Sequence, residues 1–437
     1  MITCVMEEKS EVQLFAIGVA ASMLTMTACG TAGENDNASQ SNGKIQLTFT
    51  GWVPGIESAV DLWNKNNPNI HVNFKRIASE SRKNYSTLIE AGTAGDILQM
   101  SAFEMIDYVI DQQIMDISKY VGDKKDLFTD GTWSTVSING GIYGIPQDSA
   151  PTAFMYRKDI FEQYGVRAPK TWDEYLVAAR KLHKANPNVY IAAFTPNVID
   201  FFESEFLQEG GSWYTVADDT WKVTLDSPQT RKIAERYQTL LDEGLVKTME
   251  GSTPEFWSAV NNGEIASFNY LPWFTTILKE HAPDLSGKWA IAQSPSDSGN
   301  GPWSDDGGGA NVITKNCKYP EQAAKFITWL NSDPESVDIL ITKGGLFPAA
   351  KTGLKSSEMV AKSDYFGGQP LYEKFIESAN NLNTKGGIGG PAIGVGHTAL
   401  KDEFGKVGNG EETFKEALTN TSAKLKKAAV DKGLSVQ

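Results

Sequence analysis

The chain holds 437 residues, too many for one ordinary hydrophobic core, so two domains are expected. At 41% hydrophobic and 22% charged it has the composition of a globular, soluble protein. Fifty-four Asp and Glu against 40 Lys and Arg give a formal net charge of −14, a surface that repels phosphate backbones and argues against nucleic acid as a partner.

The first feature in chain order is an apolar run from Val12 to Ala28. Spanning a bilayer takes about 20 apolar residues, so the run has the length of a signal-peptide core instead. It ends in Met26-Thr27-Ala28-Cys29, which resembles a bacterial lipobox. That resemblance implies cleavage before Cys29 and a diacylglycerol on its thiol. Met26 stands where Leu is usual, and Glu7, Glu8 and Glu11 outnumber Lys9 in a leader that is ordinarily positive. The alternative is a buried N-terminal helix with an incidental thiol. Removing residues 1–28 takes away three Glu and one Lys, a charge of −2, and leaves −12. Cys4 would depart with the leader and Cys29 would be lipidated, so Cys317 has no disulfide partner and the core must hold the fold. Residues 29–43, with "TAGENDNASQSNG" from Thr31, bury too little to fold and read as a tether.

From Lys44 the pattern alternates strands and helices, which predicts an α/β architecture. "KIQLTFTGW" reads as the first strand, "ESAVDLWNKNNP" as a helix stopped before Pro68, "NIHVNFKRI" as a period-two strand and "DILQMS" as a short buried strand. Thr171 to Glu174 forms a T-x-x-E capping box. Ser227-Pro228 predicts a helix start and Gly244 its end. Near the C-terminus Phe414, Ala417, Leu418, Leu425 and Ala428 share one helical face. "SDDGGGANV" leads into a strand expected over Asn311 to Thr314, and "NTKGGIGGPAIGVG" reads as a loop.

No nucleophile elbow, phosphate loop, dinucleotide fingerprint or H-E-x-x-H motif occurs in the chain. His71, His183, His281 and His397 share no ligand spacing, so neither a metal nor a cofactor is expected and the histidines read as surface or packing residues. Asp305-Asp306 and Glu203/Glu205 are clustered carboxylates that a glycosidase could use if a pair came together. Among 11 tryptophans, Trp63, Trp172 and Trp329 fall in helical patterns and read as core. Trp52, Trp213, Trp273 and Trp303 stand at strand ends or in loops, where an indole face beside carboxylates or amides suits a sugar ring.

"AGTAGDILQ", "GGIYGIPQDSAPTAFMYRKDIFEQYGVRAPKTWDEY", "NGEIASFNYLPWF" and "EQAAKFITWLNSDPE" together resemble the extracellular solute-binding proteins of family 1, sugar-binding subunits of ABC importers related to maltodextrin-binding protein. The resemblance implies two α/β lobes joined by a hinge around an interlobe ligand cleft. It implies an N-terminal lobe from 44–152 and 310–362 and a C-terminal lobe from 153–309 and 363–437. Trp273 would stack on a sugar ring. Gln147 and Asp148 would face the cleft from the hinge, Gln99 and Ser101 from the end of the "DIL" strand, and Gly307, Gly308 and Gly309 would offer backbone donors. Asp200 and Phe201 would complete the site. Gln99-Met100-Ser101 replaces a tryptophan-containing stretch of the maltodextrin binders, so maltose is not implied.

The expectation is a monomeric lipoprotein, anchored outside the cytoplasmic membrane of a Gram-positive bacterium, that hands a mono- or oligosaccharide to an importer's permease subunits without chemistry. A carbohydrate-active hydrolase and a carbohydrate adhesin are the rivals. The first needs a close carboxylate pair beside the tryptophans and the second a flat exposed patch.

Overall fold

Leu47 and Phe49, one residue apart in the first strand, Ile45–Gly51, are fully buried on one side of it. A computed structural model describes residues 44–78, 84–217, 220–306, 308–383 and 389–437. The leader, the tether with Cys29, and Gly307 lie outside the described residues. The first strand runs parallel to Ile70–Arg76 on one side and to Ile97–Ser101 on the other. Between the first two lies the helix Ile56–Asn66, entered through Gly55 at φ 91 and ended before Pro68, whose ring disfavours helical backbone in the residue preceding it. Its buried Ile56, Ala59, Val60 and Trp63 follow i, i+3, i+4, i+7 spacing and make one apolar stripe. Trp63 packs edge-on to Phe326 at 5.3 Å and tilted against Trp329 at 5.2 Å, so a helix from late in the chain covers the same sheet.

That late return is built into the sheet itself. Gly309–Ile313 pairs antiparallel with Ile97–Ser101 and with Ile145–Pro146, completing a five-stranded sheet. The strand starts earlier than the expected Asn311, because Gly309 carries no side-chain signal while its backbone still ladders to Ser101. The helices Pro320–Ser332 and Pro334–Gly344 follow and bury Phe326, Ile327, Leu330 and Leu340 in this first core.

The second lobe has its own sheet. Ala153–Arg157 lies between Ser267–Tyr270 and Trp289–Ala292, antiparallel to both. Around it the helix Trp172–Ala185 starts where the Thr171 hydroxyl accepts the Glu174 N–H at 3.1 Å. The capping box is altered, since the Glu174 carboxylate accepts from Lys170 N rather than from Thr171. Ser227 caps the helix Pro228–Asp242, and Gly244 follows it at φ 64. The last helix, Phe414–Asp431, carries a complete Thr413/Glu416 capping box and buries Ala429, with Ala428 half-buried on the same core. It packs with the helix Ile393–Gly408 into a core that also holds Phe194, Phe202, Phe206 and Trp213.

A third cluster lies under the junction of the lobes. Ala150, Ala153, Met155, Phe268 and Trp289 meet Val337, Ile341 and Phe347 from the returning chain. Phe347–Pro348 pairs antiparallel with Asp148–Ser149, and Pro151 bridges to Asp305. The hinge is therefore three passes of backbone tied together by hydrogen bonds.

Candidate functional site

The hinge is rich in polar groups that the fold keeps from water. Gln99 and Gln147 are buried side by side, and Gln99 Nε2 donates to Gln147 Oε1 at 2.7 Å. Gln99 Oε1 accepts the N–H groups of Trp52 at 2.9 Å and Val53 at 3.2 Å. Gln147 Nε2 reaches Asn311 Oδ1 at 3.4 Å, and Asn331 donates to the same oxygen at 2.8 Å. These amides brace the first lobe where its strands end. Both Gln99 and Gln147 were expected to face the ligand, and the structure spends their hydrogen bonds on the scaffold instead.

Asp148 follows directly. Its Oδ1 accepts the Gly309 N–H at 2.9 Å. Burial pushes its carboxyl up to about 7 against that hydrogen bond, and the charge of Asp305 adds to the rise. Asp305 in turn accepts from the Ser149 hydroxyl and from Ala150 N, the latter at 2.7 Å, so it clasps two passes of the hinge. Gly308 sits at φ 61, and a Cβ there would lie 2.1 Å from the Asp148 carbonyl oxygen, so only glycine fits the crossing. The donors of Gly308 and Gly309 go to the Asp306 carbonyl at 3.0 Å and to Asp148, not outward. Ser101, half-buried, pairs with Gly309 in the ladder.

The second lobe brings an acidic and aromatic group to the same seam. Asp200 and Phe201 open the helix Asp200–Gln208. Phe201 stacks on Tyr270 with ring centroids 4.1 Å apart, and Tyr270 donates its hydroxyl to Asp200 Oδ2 at 2.9 Å. Trp273, half-buried, is the N-cap residue of Phe274–His281 and stands edge-on to Tyr270 at 6.3 Å. A Cβ on Gly345, at the end of a first-lobe helix, would come within 3.4 Å of the Trp273 Cα, so the two lobes meet beside this tryptophan. Asp306 is half-buried where desolvation and the charges of Glu203, Asp200 and Asp305 hold its carboxyl well above the usual range. Glu203 takes the Trp213 indole N–H and lies 3.7 Å from His397 Nε2. Burial alone would lower the His397 pKa, but the Glu203 carboxylate, with Glu104 and Asp200 behind it, raises it overall.

Two expected platforms lie elsewhere. Trp213 is fully buried, edge-on to Phe206 and tilted over His397, because the helix Ile393–Gly408 closes over it. Trp303 is 8% exposed, its indole N–H bound to the Ser294 carbonyl at 2.9 Å and its backbone paired with Asn381 and Asn383. Trp52 is half-buried against the first core and gives its carbonyl to Arg76. Trp273, Asp200, Phe201 and Asp148 remain as groups brought to the seam. Tyr270, and His397, which the sequence offers only as a surface or packing residue, stand beside Asp200 and Glu203. Tyr270 ends the alternating strand "IASFNY", a signal that was readable, whereas nothing local points from His397 to Glu203. Glu203 and Glu205 separate: Glu205 is paired with Arg236, which lies 3.8 Å over the Trp172 ring. Among the described residues no group of His, Cys, Asp and Glu is placed to hold a metal ion, and no helix is long and apolar enough to cross a membrane. Cys317 is buried, which pushes its thiol up to about 12.

Two lobes, each with its own sheet, joined by several passes of chain that carry polar groups into the seam, define a binding protein of the two-lobed periplasmic type. The chain belongs to the bacterial extracellular solute-binding proteins, whose family model matches residues 48–336. It is similar to the galacto-N-biose/lacto-N-biose I-binding protein of a Bifidobacterium longum ABC transporter, solved with lacto-N-biose, at 26% identity and a TM-score of 0.82, covering 91% of this chain and 100% of that one. An ABC-transporter-associated binding protein from B. animalis subsp. lactis, solved with β-1,6-galactobiose, is 25% identical with a TM-score of 0.81, covering 90% of this chain and 100% of that one. The arabinooligosaccharide-binding protein of Bacillus subtilis is 24% identical over 383 residues, 83% of this chain and 87% of that protein.

Proposed function

We propose that this chain captures a mono- or oligosaccharide between its lobes and delivers it to the permease subunits of an ABC importer. We read it as a monomer held outside the cytoplasmic membrane of a Gram-positive bacterium by a lipid on Cys29. The observation that carries the reading is similarity over nine-tenths of the chain to two disaccharide-bound transport proteins, at TM-scores of 0.82 and 0.81. The seam supports it chemically. Trp273 and Phe201, both half-buried, offer aromatic surface for the apolar side of a pyranose, and the half-buried Asp200 and Asp306 offer carboxyl groups for its hydroxyls. Capture proceeds without bond cleavage in this reading.

Titration calorimetry against lacto-N-biose, β-1,6-galactobiose, arabino-oligosaccharides and maltose tests it. Binding of at least one non-maltose sugar, recovered intact afterwards, is expected. No heat with any of them, or products that accumulate with time, would overturn it. Cys29→Ala should move the protein from the membrane pellet to the soluble fraction. Full retention in the pellet would remove the lipid from the proposal.

A further inference from the structure

The lobes also touch through charged groups that the sugar reading does not use. The short helix Met105–Ile110 belongs to the first lobe, where Met105 packs with Leu98 and Met100. From it Asp107 reaches across. Its Oδ1 accepts the Ala392 N–H at 2.6 Å and the Lys432 ammonium at 2.9 Å, and Lys432 also donates to Asp111 at 2.9 Å. Ala392 is the N-cap residue of the helix Ile393–Gly408 and Lys432 the C-cap residue of Phe414–Asp431, both packed in the second lobe.

Helix N-termini expose unpaired N–H groups and favour a negative charge, while C-termini favour a positive one. Asp107 answers the first of these needs directly and holds the cation that answers the second. One first-lobe carboxylate therefore ties down the ends of two second-lobe helices. Side-chain exposures of 16% for Asp107 and 28% for Lys432 leave the pair less screened than a fully exposed one. Backbones are close here as well: a Cβ on Gly389 would stand 2.8 Å from the Phe103 carbonyl oxygen, and Phe103 packs on the second core.

We propose that Asp107 and Lys432 form an interlobe latch that biases the lobes toward closure before a solute arrives as well as after. Every partner is protein, so the bias needs no sugar, and the contacts exist only while the lobes are together. The same carboxylate positions the helix that carries His397.

Amide hydrogen exchange on the full chain, without sugar, reads the latch, because the Ala392 amide loses its acceptor when the lobes part. In Lys432→Met the exchange of this amide should quicken about threefold, the scale of a partly screened ion pair. Lys432→Arg should restore protection, and added salt should narrow the difference between wild type and Lys432→Met. Amides of the Ile45–Gly51 strand should keep their wild-type rates, which separates unlatching from general destabilisation. The proposal is overturned if Ala392 exchanges unprotected in the wild type, is equally protected in Lys432→Met, or quickens there together with the first strand. None of these results bears on which solute the protein carries.

Discussion

Asp148 in the hinge and Glu403 between the two last helices are carboxylates of nearly equal burial, 6% and 1% exposed, with opposite proton affinities. Desolvation works on both. At Asp148 the Gly309 N–H opposes it and Asp305 reinforces it, and the carboxyl rises to about 7. At Glu403 the ammonium groups of Lys406, at 2.7 Å, and Lys424 outweigh it and hold the carboxyl down at about 2. The helical corner is supplied with cations and is locked. The hinge is denied them, so Asp148 keeps its proton over a range in which Glu403 is already ionised.

The same division separates Trp213, sealed in the core, from Trp273 at the seam, and it gives the largest test. Trp213→Ala should cost about 3–5 kcal/mol, seen as a melting temperature lowered by several degrees. Trp273→Ala should leave the melting temperature almost unchanged and weaken the best-bound sugar by about 2 kcal/mol, more than tenfold in calorimetry. A reversed pattern would erase the boundary between core and seam drawn above.

Glu403→Gln should cost about 2 kcal/mol in urea unfolding near neutral pH, less than a fully buried pair would, because both lysines are nearly half exposed and recover water. The folded carboxyl titrates below its unfolded value, so its contribution is present above about pH 4.5 and is lost as pH falls toward about 2. Asp148 has the opposite sign. The unfolded chain releases this proton near pH 3.8 and the folded chain keeps it to about 7, so stability falls as pH rises through that window. Between about pH 6 and about pH 8 the loss should be roughly 1 kcal/mol, and Asp148→Asn should flatten that part of the unfolding profile.

The architecture was legible because its signals are local. Leu47 and Phe49 alternate, Ile56 to Trp63 make a stripe, and Thr171 and Ser227 announce helices. Trp273 could be singled out because Leu271-Pro272 marks the end of an apolar strand. Trp213 could not be told from it, since burial depends on the helix Ile393–Gly408, far along the chain. Gln99 misled for a related reason: expected at the end of the "DIL" strand, it lies in the middle of Ile97–Ser101, and its partners Trp52, Val53 and Gln147 come from two other segments. Glu203 and Glu205 looked like one acidic cluster, yet residues two apart on a helix point to different sides, which sends them to Trp213 and to Arg236.

The late strand Gly309–Ile313 also sets a timetable. It pairs with Ile97–Ser101 and Ile145–Pro146 inside the first sheet, so the first lobe cannot finish folding on a ribosome until the chain past Ile313 has emerged. Closing so long a loop is slow, as it is for other folds dominated by distant pairings. Neither lobe can therefore be finished before the chain past Ile313 has emerged, and the second waits longer, for the helices Ile393–Gly408 and Phe414–Asp431 that close its core.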